Sequence, residues 1–178
     1  LGADEDFIEK IRHKHPESLF EDYLNPEQSQ QALERMRRYA GELSEKVTTF
    51  PGIKEVLETL ESAKVSISIW TGRDLASTQK ILQQIGIQGY FKKIISGTCV
   101  PMNKPSLNGL LEIKNHHKAE THEMIMVGDH HHDIEPANSI GVTSVFAGWK
   151  TIPHQLPNHV SPQFEFDTVE KFHEWVRH

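Results

Sequence analysis

The run MIMVGDHHHDIEPANSIGV, residues 124–142, constrains the fold of this chain more than any other: an apolar stretch ends in Gly128-Asp129, and Asp133 follows four residues later. Met124, Ile125, Met126 and Val127 read as a short buried strand, and Gly128 lets the backbone turn sharply at its carboxyl end. Asp129 and Asp133 then lie on the loop that leaves the strand. In open α/β sheets ligands collect outside the carboxyl ends of the strands, so both acids stand where chemistry is usually done. Carboxylate oxygens are also what Mg²⁺ prefers. The plainer alternative is that Asp129 caps the next helix and Asp133 is solvated.

Two further pieces fall upstream in a telling order. Val65 to Trp70, VSISIW, reads as a second buried strand and ends in Thr71-Gly72-Arg73-Asp74 before a helical segment. A hydroxyl therefore stands at a strand end, beside a glycine small enough for an anion to approach its backbone N–H closely. Between the two strands comes Asn103-Lys104-Pro105-Ser106, where the proline and serine can open a helix and the ammonium is a point charge suited to phosphate. Thr71 as a helix cap and Lys104 as a surface lysine are the structural alternatives.

Taken in order, Thr71, Lys104 and the Gly128-Asp129-x-x-x-Asp133 unit resemble motifs II, III and IV of the haloacid dehalogenase (HAD) superfamily. Phe50-Pro51-Gly52, followed by Ile53, Val56, Leu57 and Leu60 at helical spacing, is similar to the helix before the motif II strand in the phosphoglycolate-phosphatase-like branch. The resemblance runs from about Phe50 to Val176 and weakens in the helical segment before it. It implies an α/β fold, a Rossmann-like parallel sheet core with a small helical cap. It also implies a Mg²⁺-dependent phosphohydrolase acting on a small phosphate monoester. Thr71 and Lys104 would be catalytic, Thr71, Gly72 and Lys104 would bind phosphate, and Asp129 and Asp133 would hold the metal.

The chain also departs from the family. HAD phosphatases begin with a strand ending in Asp-x-Asp-Gly-Thr/Val, whose first Asp is the nucleophile and whose second is the general acid and base. The nearest string, Asp4-Glu5-Asp6, follows only Leu1-Gly2-Ala3 and runs on into Phe7-Ile8-Glu9-Lys10, which reads as a helix start with Asp4 as N-cap. The first core strand is thus missing from these residues, and in the family it lies between the strands of motifs II and IV. Buried unpaired strand edges are costly, so either the flanking strands pair directly or a segment of a longer chain fills the slot. A longer parent chain is the expectation, and the absence of Met at position 1 agrees with it, although processing would leave the same start. A second departure is His130, where the relatives usually have a small polar residue. His130, His131 and His132 invite a transition-metal reading, but adjacent residues in a turn seldom point at one ion. His116, His117 and His122 read as exposed helix-end and loop residues, and Arg73 reads either as a contact to an anionic group of a substrate or as an exposed arginine at a helix start.

Composition narrows the partners. A formal charge of −6 over 178 residues argues against nucleic acid, which is bound through clustered Lys and Arg. Arg35, Arg37 and Arg38 form the one tight basic cluster, with Glu34 and Glu42 on the same apparent helix, and read as a solvated face. The single Cys99 excludes an internal disulfide and fits a reducing compartment. No apolar run approaches the ~20 residues of a membrane span. A cytoplasmic protein without membrane or nucleic-acid partners, binding a small phosphorylated substrate, is expected. The oligomeric state is left open.

Two domains are expected, a helical cap at 1–48 and a HAD-like α/β core at 49–178. In the first, Asn25-Pro26-Glu27 starts the longest helix as N-cap followed by Pro at N1. In the second, helices at 52–63, 75–85, 104–116 and through Ala137 to Gly141 alternate with strands at 65–70, 93–96, 123–127 and 143–147, and a last helix spans 166–176. Two functions stay open: a HAD-type phosphohydrolase, provided that motif I exists in a longer chain, and a non-catalytic HAD-fold binding protein that lacks the nucleophile.

Overall fold

The structure, a computed structural model, describes residues 16–102, 104–150 and 155–178. The expected helix start at Asp4 lies outside the described residues.

Two helices come first, α1 (Pro16–Tyr23) and α2 (Pro26–Ser44). Asn25 begins α2 as the sequence predicts: its Oδ1 accepts the Gln28 N–H at 2.9 Å, while Gln28 Oε1 reaches back to the Asn25 N–H at 3.4 Å. The arginine-bearing face is solvated, and the Arg38–Glu42 pair spans 3.9 Å between exposed side chains. Among the described residues no strand precedes residue 67.

Helices and strands alternate from there: α3 (Ile53–Ser62), β1 (Ile67–Trp70), α4 (Leu75–Gln84), β2 (Phe91–Ile95), α5 (Asn108–His117), β3 (Ile125–Gly128), α6 (His131–Ser139), β4 (Thr143–Ala147), β5 (Phe164–Phe166) and α7 (Val169–Val176). Glycines at positive φ stand where the reversals require them, Gly52 at +85° before α3, Gly86 at +71° after α4 and Gly141 at +75° after α6. Three boundaries differ from expectation. The helix after Lys104 begins only at Asn108, because Ser106 Oγ accepts the Asn108 N–H instead of opening a turn of its own. Val65 stays outside β1 and is exposed. A short strand, β5, precedes α7 in the tail that the sequence pattern assigns to one helix.

The strands are all parallel, but they form two sheets, β1-β2 and β3-β4-β5. No ladder joins β1 to β3, so of the two expected arrangements direct pairing of the flanking strands is not the one adopted. Shared helices hold the sheets together. On α3, Val56 packs with Val145 of β4 and with Val169 and Phe172 of α7, while the adjacent Leu57 packs with Leu82, Ile67 and Ile69. Elsewhere Leu110 and Ile113 of α5 join Trp70 and Ile95 of the first sheet to Ala137 and Val142 beside the second.

The face of β3 that carries Ile125 and Val127 is not covered. Val127 is in register with Val145, so both point to one face; Val145 is fully buried, yet Val127 is 37% and Ile125 54% exposed. The expectation of a buried strand at 124–127 is therefore corrected: Met124 and Met126 pack on the core, whereas Ile125 and Val127 on the alternate face are exposed. Apolar character alone could not separate a strand covered on two faces from one covered on a single face. No helix among the described residues is long and apolar enough to cross a membrane.

Candidate active site

Lys104, on the segment after β2, links the last residue of β1 to the first turn of the helix that follows β3. The Lys104 ammonium donates to Asp133 Oδ1 at 2.5 Å and lies 4.7 Å from the centroid of the Trp70 ring, the last residue of β1. Trp70 is in turn seated on Gly109 at the start of α5: a Cβ there would lie 2.0 Å from the indole Nε1. The aromatic side chain thus positions the lysine that follows 34 residues later in the chain.

Asp133 is 5% exposed and occupies the first turn of α6. Its Oδ2 accepts the His130 N–H at 3.2 Å, so the carboxylate is fixed on both oxygens. It also needs Gly128: a Cβ on that residue would stand 2.3 Å from Asp133 Cβ. The alternative of a solvated Asp133 is therefore excluded. Asp129 does not cap α6 either. That position belongs to His130, whose Nδ1 accepts the His132 N–H at 3.3 Å, so the imidazole serves where a small polar residue is usual. Asp129 pairs instead with the Lys150 ammonium, from the segment after β4.

Thr71 continues the β1 edge, its N–H bonded to Ile95 O at 2.9 Å, and its Oγ1 accepts the Arg73 N–H at 3.2 Å. The cap of α4 is Asp74, not Thr71: Asp74 Oδ1 accepts the Ser77 N–H at 2.8 Å and Oδ2 the Ser77 hydroxyl at 2.5 Å. Burial raises the Asp74 pKa, but the Ser77 hydrogen bonds and the Arg73 charge outweigh it and hold the carboxyl below its ordinary value. Around Gly72 a Cβ would meet nothing within 4 Å, so the backbone there is open to an approaching group. Arg73 is exposed.

Two residues of this site are not marked by the sequence motifs. Trp70 reads in sequence only as the apolar end of a strand, and Lys150 belongs to no motif. A signal for Lys150 exists, since Gly148-Trp149-Lys150 follows the carboxyl end of β4, the strand adjacent to β3. His117 also needs correction. It is half-buried, and its Nε2 lies 2.7 Å from Ser68 Oγ on β1; burial first, and then the neighbouring His116, lower its pKa.

The oxygen donors fit a hard divalent cation. Asp129 and Asp133 each have a lysine ammonium against the carboxylate, which shows that both sites favour positive charge, and oxygen-only ligation is what Mg²⁺ takes.

The family model of haloacid dehalogenase-like hydrolases matches residues 2–147. The chain is 32% identical over 128 residues to the phosphoglycolate phosphatase of Vibrio parahaemolyticus, covering 71% of this chain and 56% of that protein. It is 31% identical over 126 residues to that of Vibrio vulnificus, covering 68% and 55%. The chain thus spans little more than half the length of these relatives. Among solved structures, a predicted phosphoglycolate phosphatase from Haemophilus somnus superposes with a TM-score of 0.75 at 22% identity, over 86% of this chain and 68% of that one. A HAD-superfamily hydrolase from Geobacter sulfurreducens does so with 0.68 at 22% identity, over 86% and 74%. At that identity the superpositions speak for the fold alone, a Rossmann-like α/β core. With the family match extending over most of the chain, and the motif residues gathered at the strand ends, this protein belongs to the haloacid dehalogenase-like hydrolases, on the phosphoglycolate-phosphatase-like branch.

Proposed function

We propose that this chain is the greater part of a HAD-type phosphohydrolase that cleaves a small phosphate monoester. The observation that carries the reading is the Lys104–Asp133 pair, which with the neighbouring Asp129 sets an ammonium and two carboxylates beyond the carboxyl end of β3, while Thr71 stands at that of β1. The names of the relatives make 2-phosphoglycolate the first substrate to try.

In this reading Thr71 donates its hydroxyl proton to a phosphoryl oxygen, while Oγ1 keeps the Arg73 N–H as its own donor. The Gly72 N–H bonds a second oxygen. Lys104, held in place by Trp70 and Asp133, offsets the charge of the phosphoryl group. Asp129 and Asp133 would hold Mg²⁺, which supplies charge neutralisation between phosphate and nucleophile when bound. The nucleophilic aspartate is assigned to a strand outside these residues that enters between β1 and β3. Such a strand would cover Ile125 and Val127 and satisfy both open strand edges. Helices α1 and α2 belong to the cap at 1–48; the segment after α2 is joined to α4 through Gln84 Nε2 to Glu45 O at 2.8 Å.

The test is phosphate release from 2-phosphoglycolate and from a generic aryl phosphate by the natural full-length protein with Mg²⁺. Asp129→Ala and Lys104→Ala are each expected to lower the rate at least ~100-fold, the order of one lost electrostatic contact to the transition state. Undiminished hydrolysis by Asp129→Ala would overturn the assignment. A second reading, a phosphate-binding relative without catalysis, rests on the absence of Asp-x-Asp-Gly-Thr/Val from these 178 residues. It predicts no turnover but saturable binding of inorganic phosphate that Lys104→Ala weakens.

A further inference from the structure

We propose that His130, His131 and His132 form a second metal site, for an imidazole-preferring transition ion such as Zn²⁺, at the rim of the Asp129–Asp133 carboxylate site. The chain reverses direction between the first two of these residues. His130 is extended, at φ −137° and ψ 153°, whereas His131 and His132 open α6. That change swings the His130 ring alongside the other two, with centroids 4.1 Å apart for 130–131, 4.5 Å for 130–132 and 4.1 Å for 131–132. One ring nitrogen from each lies within 4.8 Å of the others. The three rings thus lie together, although adjacent residues in a turn seldom point at one ion.

Around a tetrahedral Zn²⁺ with Zn–N bonds of about 2.0–2.1 Å, ligand nitrogens stand roughly 3.4 Å apart. Closing from 4.8 Å requires the three half-buried rings to rotate toward one another. His130 Nδ1 can join by releasing the His132 N–H, a long bond at 3.3 Å. Three imidazoles leave a fourth position open to water or to an anion. The positive end of α6 opposes any cation here, and the acids at 129 and 133, on either side of the trio, act in the other direction. Donor chemistry separates the two sites: imidazole nitrogens favour Zn²⁺, Ni²⁺ and Cu²⁺, while carboxylate oxygens favour Mg²⁺. The sites are also coupled, because the His130 N–H that anchors Asp133 belongs to the residue whose ring must move.

The experiment titrates Zn²⁺ into the untagged full-length protein in excess Mg²⁺, by competition with a chromogenic chelator. One Zn²⁺ per chain is expected from this site, with His131→Gln and His132→Gln each weakening it at least ~10-fold and a change at the exposed His122, His122→Gln, leaving it within about threefold. Unchanged Zn²⁺ affinity in the His131→Gln/His132→Gln double variant would overturn the site. Ring-nitrogen NMR of the wild type guards against a misfolded variant: the resonances of all three histidines must shift on adding Zn²⁺, and their constancy would equally refute it. Neither readout depends on phosphatase activity.

Discussion

The Lys104 ammonium lies 2.5 Å from Asp133 Oδ1, although 29 residues separate the two and no ladder joins the strands whose ends they connect. An ion pair therefore does at the site what hydrogen bonding does not do in the sheet: it links the β1 half of the core to the β3 half. Asp133 is 5% exposed, so leaving its carboxylate without that partner would be costly.

Lys104→Met is accordingly expected to cost about 3 kcal/mol, because it leaves a buried carboxylate without its ammonium. Adding Asp133→Asn in the same chain should recover part of the loss. Urea denaturation of the two single variants and the double variant measures the coupling, and strictly additive changes would show that the pair contributes nothing jointly.

Gly128→Ala should disturb the site more than its size suggests. The new methyl would stand 2.3 Å from Asp133 Cβ and must push α6 or the β3 end aside. A loss of about 2 kcal/mol is expected, of the order of an overpacked core position. Weakened Mg²⁺ binding by calorimetry should accompany it, and a fall in melting temperature alone would confine the effect to packing.

Asp74→Ala removes the cap of α4 and should cost about 1 kcal/mol at neutral pH. The folded carboxyl has a pKa below its model value of 3.8, so the unfolded chain binds the proton more readily. The contribution is then complete above 3.8 and disappears as pH falls through the lower folded value. Stability curves of wild type and variant should converge below that point; a constant gap at all pH values would contradict the linkage.

His117 works in the opposite chemical class but with the same slope. Burial, and then the charge of His116, lower its pKa from 6.5, so protonation favours the unfolded chain. Its stabilising contribution is present above 6.5 and declines as pH drops toward the folded value. An NMR titration should show His117 changing charge below 6.5, and Ser68→Ala, which removes the 2.7 Å partner, should shift that midpoint; a midpoint at or above 6.5 would contradict the burial argument.

Gly52→Ala tests the entry to α3. At φ +85° a Cβ is strained in itself and would press Val169 Cγ1 at 3.1 Å, so a loss of about 1–2 kcal/mol is expected. An unchanged melting temperature would mean that the turn before α3 adjusts freely.

Most of the α/β alternation was legible from local signals. Periodicity placed α3, α4 and β4 within a residue or two, and Gly86 and Gly141 marked helix ends through a backbone preference that belongs to the residue itself. The motif residues were legible for a similar reason, since a strand end followed by Gly-Asp or Thr-Gly is a local pattern. Trp70 under Lys104, Lys150 on Asp129 and the meeting of three histidine rings were not, because each depends on where distant backbone segments come to rest.

The sequence by itself determined the order of helices and strands, the family resemblance and the residue types at the strand ends, all of which follow from spacing and side-chain chemistry within short windows. Only the tertiary structure decided that the strands divide into two sheets, that Ile125 and Val127 are exposed, and that Asp133 is buried and Asp129 is not. Burial and pairing are properties of what lies across from a residue. A strand reads alike in sequence whether its neighbour is a strand, a helix or open space.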